Sequence, residues 1–108
     1  MFMSKKQKEE IAARFASLNR TQLNMLHAIG IDHASDIKLS KHGYLYHIIY
    51  RNIYVGTNDN LFSEEREKGF VRKHGNVYYH ITLKGKNYLE HLIGVILIDS
   101  YRCIPYEE

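Results

Sequence analysis

The chain has 108 residues with a net charge of +3, and is 44% hydrophobic and 25% charged, with nine tyrosines, four phenylalanines and no tryptophan. One domain burying roughly two-thirds of its unfolded surface is expected at this size, and the composition excludes a largely disordered or fibrous chain. The longest apolar run, Leu92 to Ile98, is far short of the ~20 residues of a membrane-spanning helix.

Met1-Phe2-Met3 runs straight into Ser4-Lys5-Lys6, which is no secretory pattern, and a single cysteine, Cys103, builds no disulfide framework; a cytoplasmic location is expected. Ser4-Lys5-Lys6-Gln7 has the form of a capping box. Ile11, Phe15 and Leu18 follow at helical spacing, predicting a first helix over 5–18. Thr21 is placed to cap a second helix over 22–29 carrying Leu23, Leu26 and Ile29. Gly30 suits a left-handed stop, with Ile31 closing back on Leu26. Residues 32–43 lack a clean period and read as loop, with an extended piece around Ile37–Leu39.

Tyr44 to Val55 is ambiguous. Leu45, Ile48, Ile49 and Ile53 match a helical stripe, whereas the Tyr/Ile/Val content favours a strand; a short helix followed by an extended turn into Gly56 is the reading preferred here. Asn58 or Asp59 is then expected to cap a third helix containing Leu61, Phe62 and Glu65 and stopped by Gly69. Phe70 to Ile81 reads as a β-hairpin with Gly75-Asn76 at its tip. Thr82 is expected to cap a fourth helix, with Tyr88, Leu89, Leu92 and Ile93 inward, ended by Gly94. Val95–Ile98 is strongly β-branched and is read as extended.

Charge is patchy along this path. Cations outnumber acids over residues 1–54, and 69–89 carry Arg72, Lys73, Lys84 and Lys86 with no acid. Between them, Asp59, Glu64, Glu65 and Glu67 outweigh Arg66 and Lys68. A pI near 9.0 is compatible with nucleic acid without demanding it.

The segment 57–93 has the most specific pattern: Glu67-Lys68-Gly69-Phe70-Val71, then His74-Gly75-Asn76-Val77-Tyr78-Tyr79, then Ile81-Thr82-Leu83-Lys84-Gly85-Lys86. It resembles the second half of winged-helix domains, where the helix before the glycine is the recognition helix and the hairpin is the wing. The glycine lets the chain leave the helix at positive φ, and the threonine caps the helix after the wing. Over roughly residues 23–94 the chain also resembles a group of small bacteriophage-type proteins without assigned function. That likeness rests on Leu26-His27-Ala28-Ile29-Gly30-Ile31, Tyr50-Arg51-Asn52-Ile53-Tyr54, Leu61 through Gly69, and Val77 through Thr82 with Gly85. Relative to it, residues 32–49 look like an insertion.

The winged-helix resemblance implies an α/β (α+β) fold: a single winged-helix-like domain of three to four helices with a β-hairpin wing. Residues 1–31 would form an N-terminal helical pair, 57–93 the recognition-type helix, wing and following helix, and 94–108 a C-terminal extension. It also implies phosphate contacts from Arg72, Lys73, His74 and Asn76 on the wing and from Lys84 and Lys86 behind it. Asn58, Asn60 and Arg66 would face the bases. Glu64, Glu65 and Glu67 would oppose docking unless they point away. The Arg51-Asn52 pair either reads a base or clamps a phosphate, or holds the 32–49 loop; its apolar and aromatic neighbours favour the second.

Seven histidines invite a metal site, but their spacings match no zinc pattern, and His80 alternates on the wing as a surface group. No metal or cofactor is expected. Glycine-rich phosphate loops, nucleophile elbows and paired carboxylates are missing, so no catalysis is expected. Tyr44, Tyr46, Tyr50 and Tyr54, at even spacing, either pack beneath the extra loop or present an aromatic stripe for protein contact. Two functions follow as expectations. One is a small, dimeric DNA-binding transcriptional regulator of viral or mobile-element origin, acting on double-stranded DNA. The other is a protein-binding inhibitor of a host enzyme or defence complex on the same scaffold, using Glu64, Glu65 and the tyrosines.

Overall fold

The computed structural model describes residues 2–54, 61–75 and 78–100. Among them it shows an α+β architecture of four α-helices and two small sheets. None of these helices is long and apolar enough to cross a membrane.

Helix α1 (Lys5–Ala16) starts on the expected capping box: Ser4 Oγ accepts from Gln7 N at 3.1 Å, and Gln7 Oε1 accepts from Ser4 N at 2.9 Å. Helix α2 (Arg20–Ala28) repeats the device one motif later. Its cap is Asn19, reciprocally bonded with Gln22, and not Thr21. An Asn-x-x-Gln box satisfies two N–H groups where a lone threonine cap would satisfy one. The helix closes as expected, with Gly30 at φ +104° and Ile31 N–H on Leu26 O at 2.9 Å.

A 3₁₀ turn (Ala34–Asp36) leads to β1 (Lys38–Leu39), then β2 (Leu45–Ile49) and β3 (Asn52–Tyr54). The short helix preferred for Tyr44 onward is therefore replaced by strand. Period two is the reason. Leu45, His47 and Ile49 turn one way and Tyr46 and Ile48 the other, whereas a helical stripe would have buried Ile48, which is exposed. β1 pairs antiparallel with β2, and β2 pairs parallel with β6 (Ile96–Asp99). The expected C-terminal extension thus begins with a strand of the core: Val95 and Leu97 are buried. Residues 32–49, read as an inserted loop, supply the other two strands of that sheet.

The chain passes from this sheet into the second at Tyr50–Arg51. Ser100 N–H reaches Ile49 O at 2.9 Å on one side, and Ile81 N–H reaches Arg51 O at 2.8 Å on the other. The second sheet has the order β3-β5-β4, all antiparallel, with β4 (Val71–His74) and β5 (Tyr78–Ile81) forming the expected hairpin. The third helix is shorter than expected: α3 (Ser63–Glu67) begins after Phe62, which sits in the left-handed region at φ 59° and anchors in the core. Asn58 and Asp59 lie outside the described residues. Helix α4 (Leu83–Ile93) runs from Thr82 to Gly94, as read from sequence. Arg14 of α1 donates to Ile93 O at 3.2 Å and so caps α4. One apolar cluster joins all these parts, from Ile11 on α1 through Met25, Leu26, Ile49 and Tyr79 to Leu89, Ile93 and Leu97.

Candidate functional site

The end of α3, the start of the hairpin and the start of α4 are tied into one joint. Gly69, at φ +80°, lets α3 stop in a Schellman turn: Phe70 N–H bonds Glu65 O at 2.9 Å and Gly69 N–H bonds Arg66 O at 3.1 Å. Three successive carbonyls leaving α3 then meet donors from the other side. Lys84 Nζ donates to Lys68 O at 2.9 Å, Thr82 Oγ1 to Gly69 O at 2.6 Å, and Thr82 N–H to Phe70 O at 3.0 Å. Thr82 Oγ1 also accepts from Gly85 N at 3.0 Å, which caps α4.

Gly85 has its own requirement. A Cβ there would lie 2.2 Å from Phe70 O, so only glycine lets the first turn of α4 press on the chain leaving α3. The sequence carried a signal for this: glycine costs about 1 kcal/mol in a helix, and its presence in a first turn marks a close approach.

Beside this joint lies an open groove of about 580 Å³, lined by Arg66, Gly69, Val71, Arg72, Thr82, Leu83 and Lys84. Three cations from three elements converge on it, and among the described residues no acid lines it. The N-terminus of α4 adds the positive end of a helix dipole. Arg66 sits 5.3 Å over the Tyr79 ring and Lys84 5.5 Å over Phe70, so both cations are steadied by aromatic faces.

The acids of α3 are disposed differently. Glu64 and Glu65 line hollows on the α2 side, with Thr21, Gln22 and Asn24. Glu65 is buried, and Glu64 pairs with Lys68 at 3.3 Å. The opposition anticipated from a run of glutamates is thereby removed for these two.

The remaining sequence-derived residues scatter. Lys73 and His74 are exposed on β4, on opposite faces of the strand, and Lys86 is half-buried on α4. Arg51 is 8% exposed, donates to Ile81 O at 3.2 Å, and has Nε 3.0 Å from Asp99 Oδ1. It ties the two sheets, a structural role of the kind that its apolar and aromatic neighbours favoured, and does not lie in the groove. Asn52 is half-buried, and its Oδ1 accepts from His80 Nδ1 at 2.7 Å. His80 is 1% exposed and is not the surface group its alternation suggested. Asn58, Asn60, Asn76 and Cys103 lie outside the described residues.

The tyrosine stripe divides. Tyr44 and Tyr50 flank β2, which carries Tyr46, while Tyr54 ends β3 in the other sheet. Glu64 and Glu65 lie on α3 against α2, so the acidic and aromatic groups of the inhibitor reading are not brought together. No group of three histidine, cysteine, aspartate or glutamate side chains is placed to hold a metal ion among the described residues. Compared with known proteins, the chain matches no family model, no curated protein and no solved structure.

Proposed function

We propose that this chain is a non-catalytic, winged-helix-like regulator that docks on duplex DNA through the groove between α3, β4 and α4. The observation that carries the reading is the convergence of Arg66, Arg72 and Lys84 on one surface that no acid lines among the described residues. Support for the scaffold comes from the path helix, Gly69, hairpin, Thr82, helix, and from the antiparallel order β3-β5-β4.

A phosphate oxygen in the groove would meet the positive charge of Arg66 and Arg72, whose planar guanidinium groups suit phosphate geometry. Lys84 spends one of its three N–H groups on Lys68 O and offers the others as a point charge. His74, on the same strand face as Arg72, extends the contact along the backbone. These contacts carry affinity and register and no base information. A second reading, a protein-binding inhibitor, is favoured by one observation, the exposed apolar face of the β1-β2-β6 sheet.

The test is duplex binding over a salt series. Wild type should show a slope of log K against log salt of about −0.9 per phosphate neutralised. Arg72→Glu/Lys84→Glu should flatten that slope by about 2. Lys6→Glu/Lys8→Glu, the same change in net charge placed on α1, should leave it nearly unaltered. Equal loss in both variants would show that net charge, and not this groove, governs binding.

A further inference from the structure

The β1-β2-β6 sheet has two unlike faces. One turns Ile49 and Leu97 into the core; the other carries Tyr44, Tyr46, Ile48 and Tyr50 from the β2 segment and Ile96 and Ile98 from β6. Parallel register sets Tyr46 beside Ile96 and Ile48 beside Ile98, so the apolar residues form adjoining columns. Tyr44, Ile48, Tyr50, Ile96 and Ile98 are each 38–47% exposed. A water-facing sheet surface ordinarily alternates to polar residues at these positions. Here it does not.

We propose that this face is a self-association surface that pairs two copies of the chain about a two-fold axis running along the strands. Three observations favour a second copy as the occupant. First, the columns on β2 and β6 bear no formal charge, so apposing a face with itself incurs no like-charge repulsion. Second, the exposed apolar surface is on the order of 400 Å², the size of the apolar centre of a patch burying ~800 Å² per partner.

Third, the rims are complementary. Lys38 on β1 stands across from Tyr46 at one edge of the face. At the opposite edge Glu90 Oε2 accepts from Leu97 N–H at 2.8 Å. A two-fold axis along the strands lays the β1 edge of one copy over the β6 edge of its mate, setting Lys38 against Glu90 twice. The same Glu90 contact occupies an outward N–H of β6, which disfavours growth by strand addition and leaves the face as the route of association.

Ile48 sits mid-patch, between Tyr46 and Tyr50 and beside Ile98, and so lies close to its own mate across the axis. The test is sedimentation of the full chain without nucleic acid over a micromolar concentration series. Wild type should populate a dimer. Ile48→Glu and Ile48→Lys should each weaken it by roughly 30-fold or more, with unfolding midpoints near wild type because the position is half exposed. Mixing the two variants should restore dimer through the opposed charges. A wild-type monomer across the series overturns the proposal, including where the face instead captures a different protein. A dimer indifferent to both Ile48 substitutions overturns it as well. Neither outcome depends on whether the cationic groove binds DNA.

Discussion

Gly85 and Thr82 carry more of this architecture than their size suggests. At Gly85 a methyl group would have to displace the Phe70 backbone carbonyl 2.2 Å away, and backbone yields less readily than the end of a side chain. Gly85→Ala should therefore cost about 2–3 kcal/mol, read as a lowered urea midpoint, in the range of overpacked interiors. Thr82 both caps α4 and donates to Gly69 O. Thr82→Val keeps the shape and loses both bonds, for about 1–2 kcal/mol by the same measurement; Thr82→Ser should recover most of it. At this scale the sequence was legible in part. The cap at Thr82 and the left-handed stops at Gly30, Gly69 and Gly94 follow from local chemistry alone. The second bond of Thr82 joins residues far apart along the chain and no local pattern encodes it; at Gly85 the glycine itself signals a close approach, but not that Phe70 is the partner.

Elements follow the same division. Helices α1, α2 and α4 announce themselves through period and caps, and the hairpin through its alternation and glycine. Thr21 stands nearer the apolar stripe and draws the cap in a local reading, whereas Asn19 and Gln22 repeat the spacing of Ser4 and Gln7. The capping geometry predicts that Asn19→Ala destabilises by about 1 kcal/mol in thermal or urea unfolding. Thr21→Ala should fall within about 0.5 kcal/mol of wild type. Tyr44 to Tyr54 misled for a different reason. A run rich in tyrosine and isoleucine matches helix and strand templates alike, and what decides it is its distant partners, β6 beside β2 at fifty positions downstream and β5 beside β3. His80 shows the same limit: alternation marks its face but not what covers that face.

Across the whole molecule, the groove and the tyrosine-bearing sheet belong to opposite ends of α4. The groove gathers at Thr82, Leu83 and Lys84, and β6 follows Gly94, with ~16 Å of helix between. Sequence placed cations near the hairpin, and three of those expected, Arg66, Arg72 and Lys84, do share one surface. The sequence could not show that Glu64 and Glu65 turn toward α2, because charge runs carry no direction until the helix is docked. That orientation takes two of the three glutamates of α3 out of opposition to a polyanion, while Glu67 stays exposed. Amide chemical-shift mapping of the labelled chain against a short duplex at low salt tests it most directly. The account predicts the largest shifts at Gly69, Val71, Arg72, Thr82, Leu83 and Lys84, with the Glu64–Glu65 amides moving less. Shifts confined to α1 or to the β1-β2-β6 sheet, or a spectrum unchanged by duplex, would contradict it.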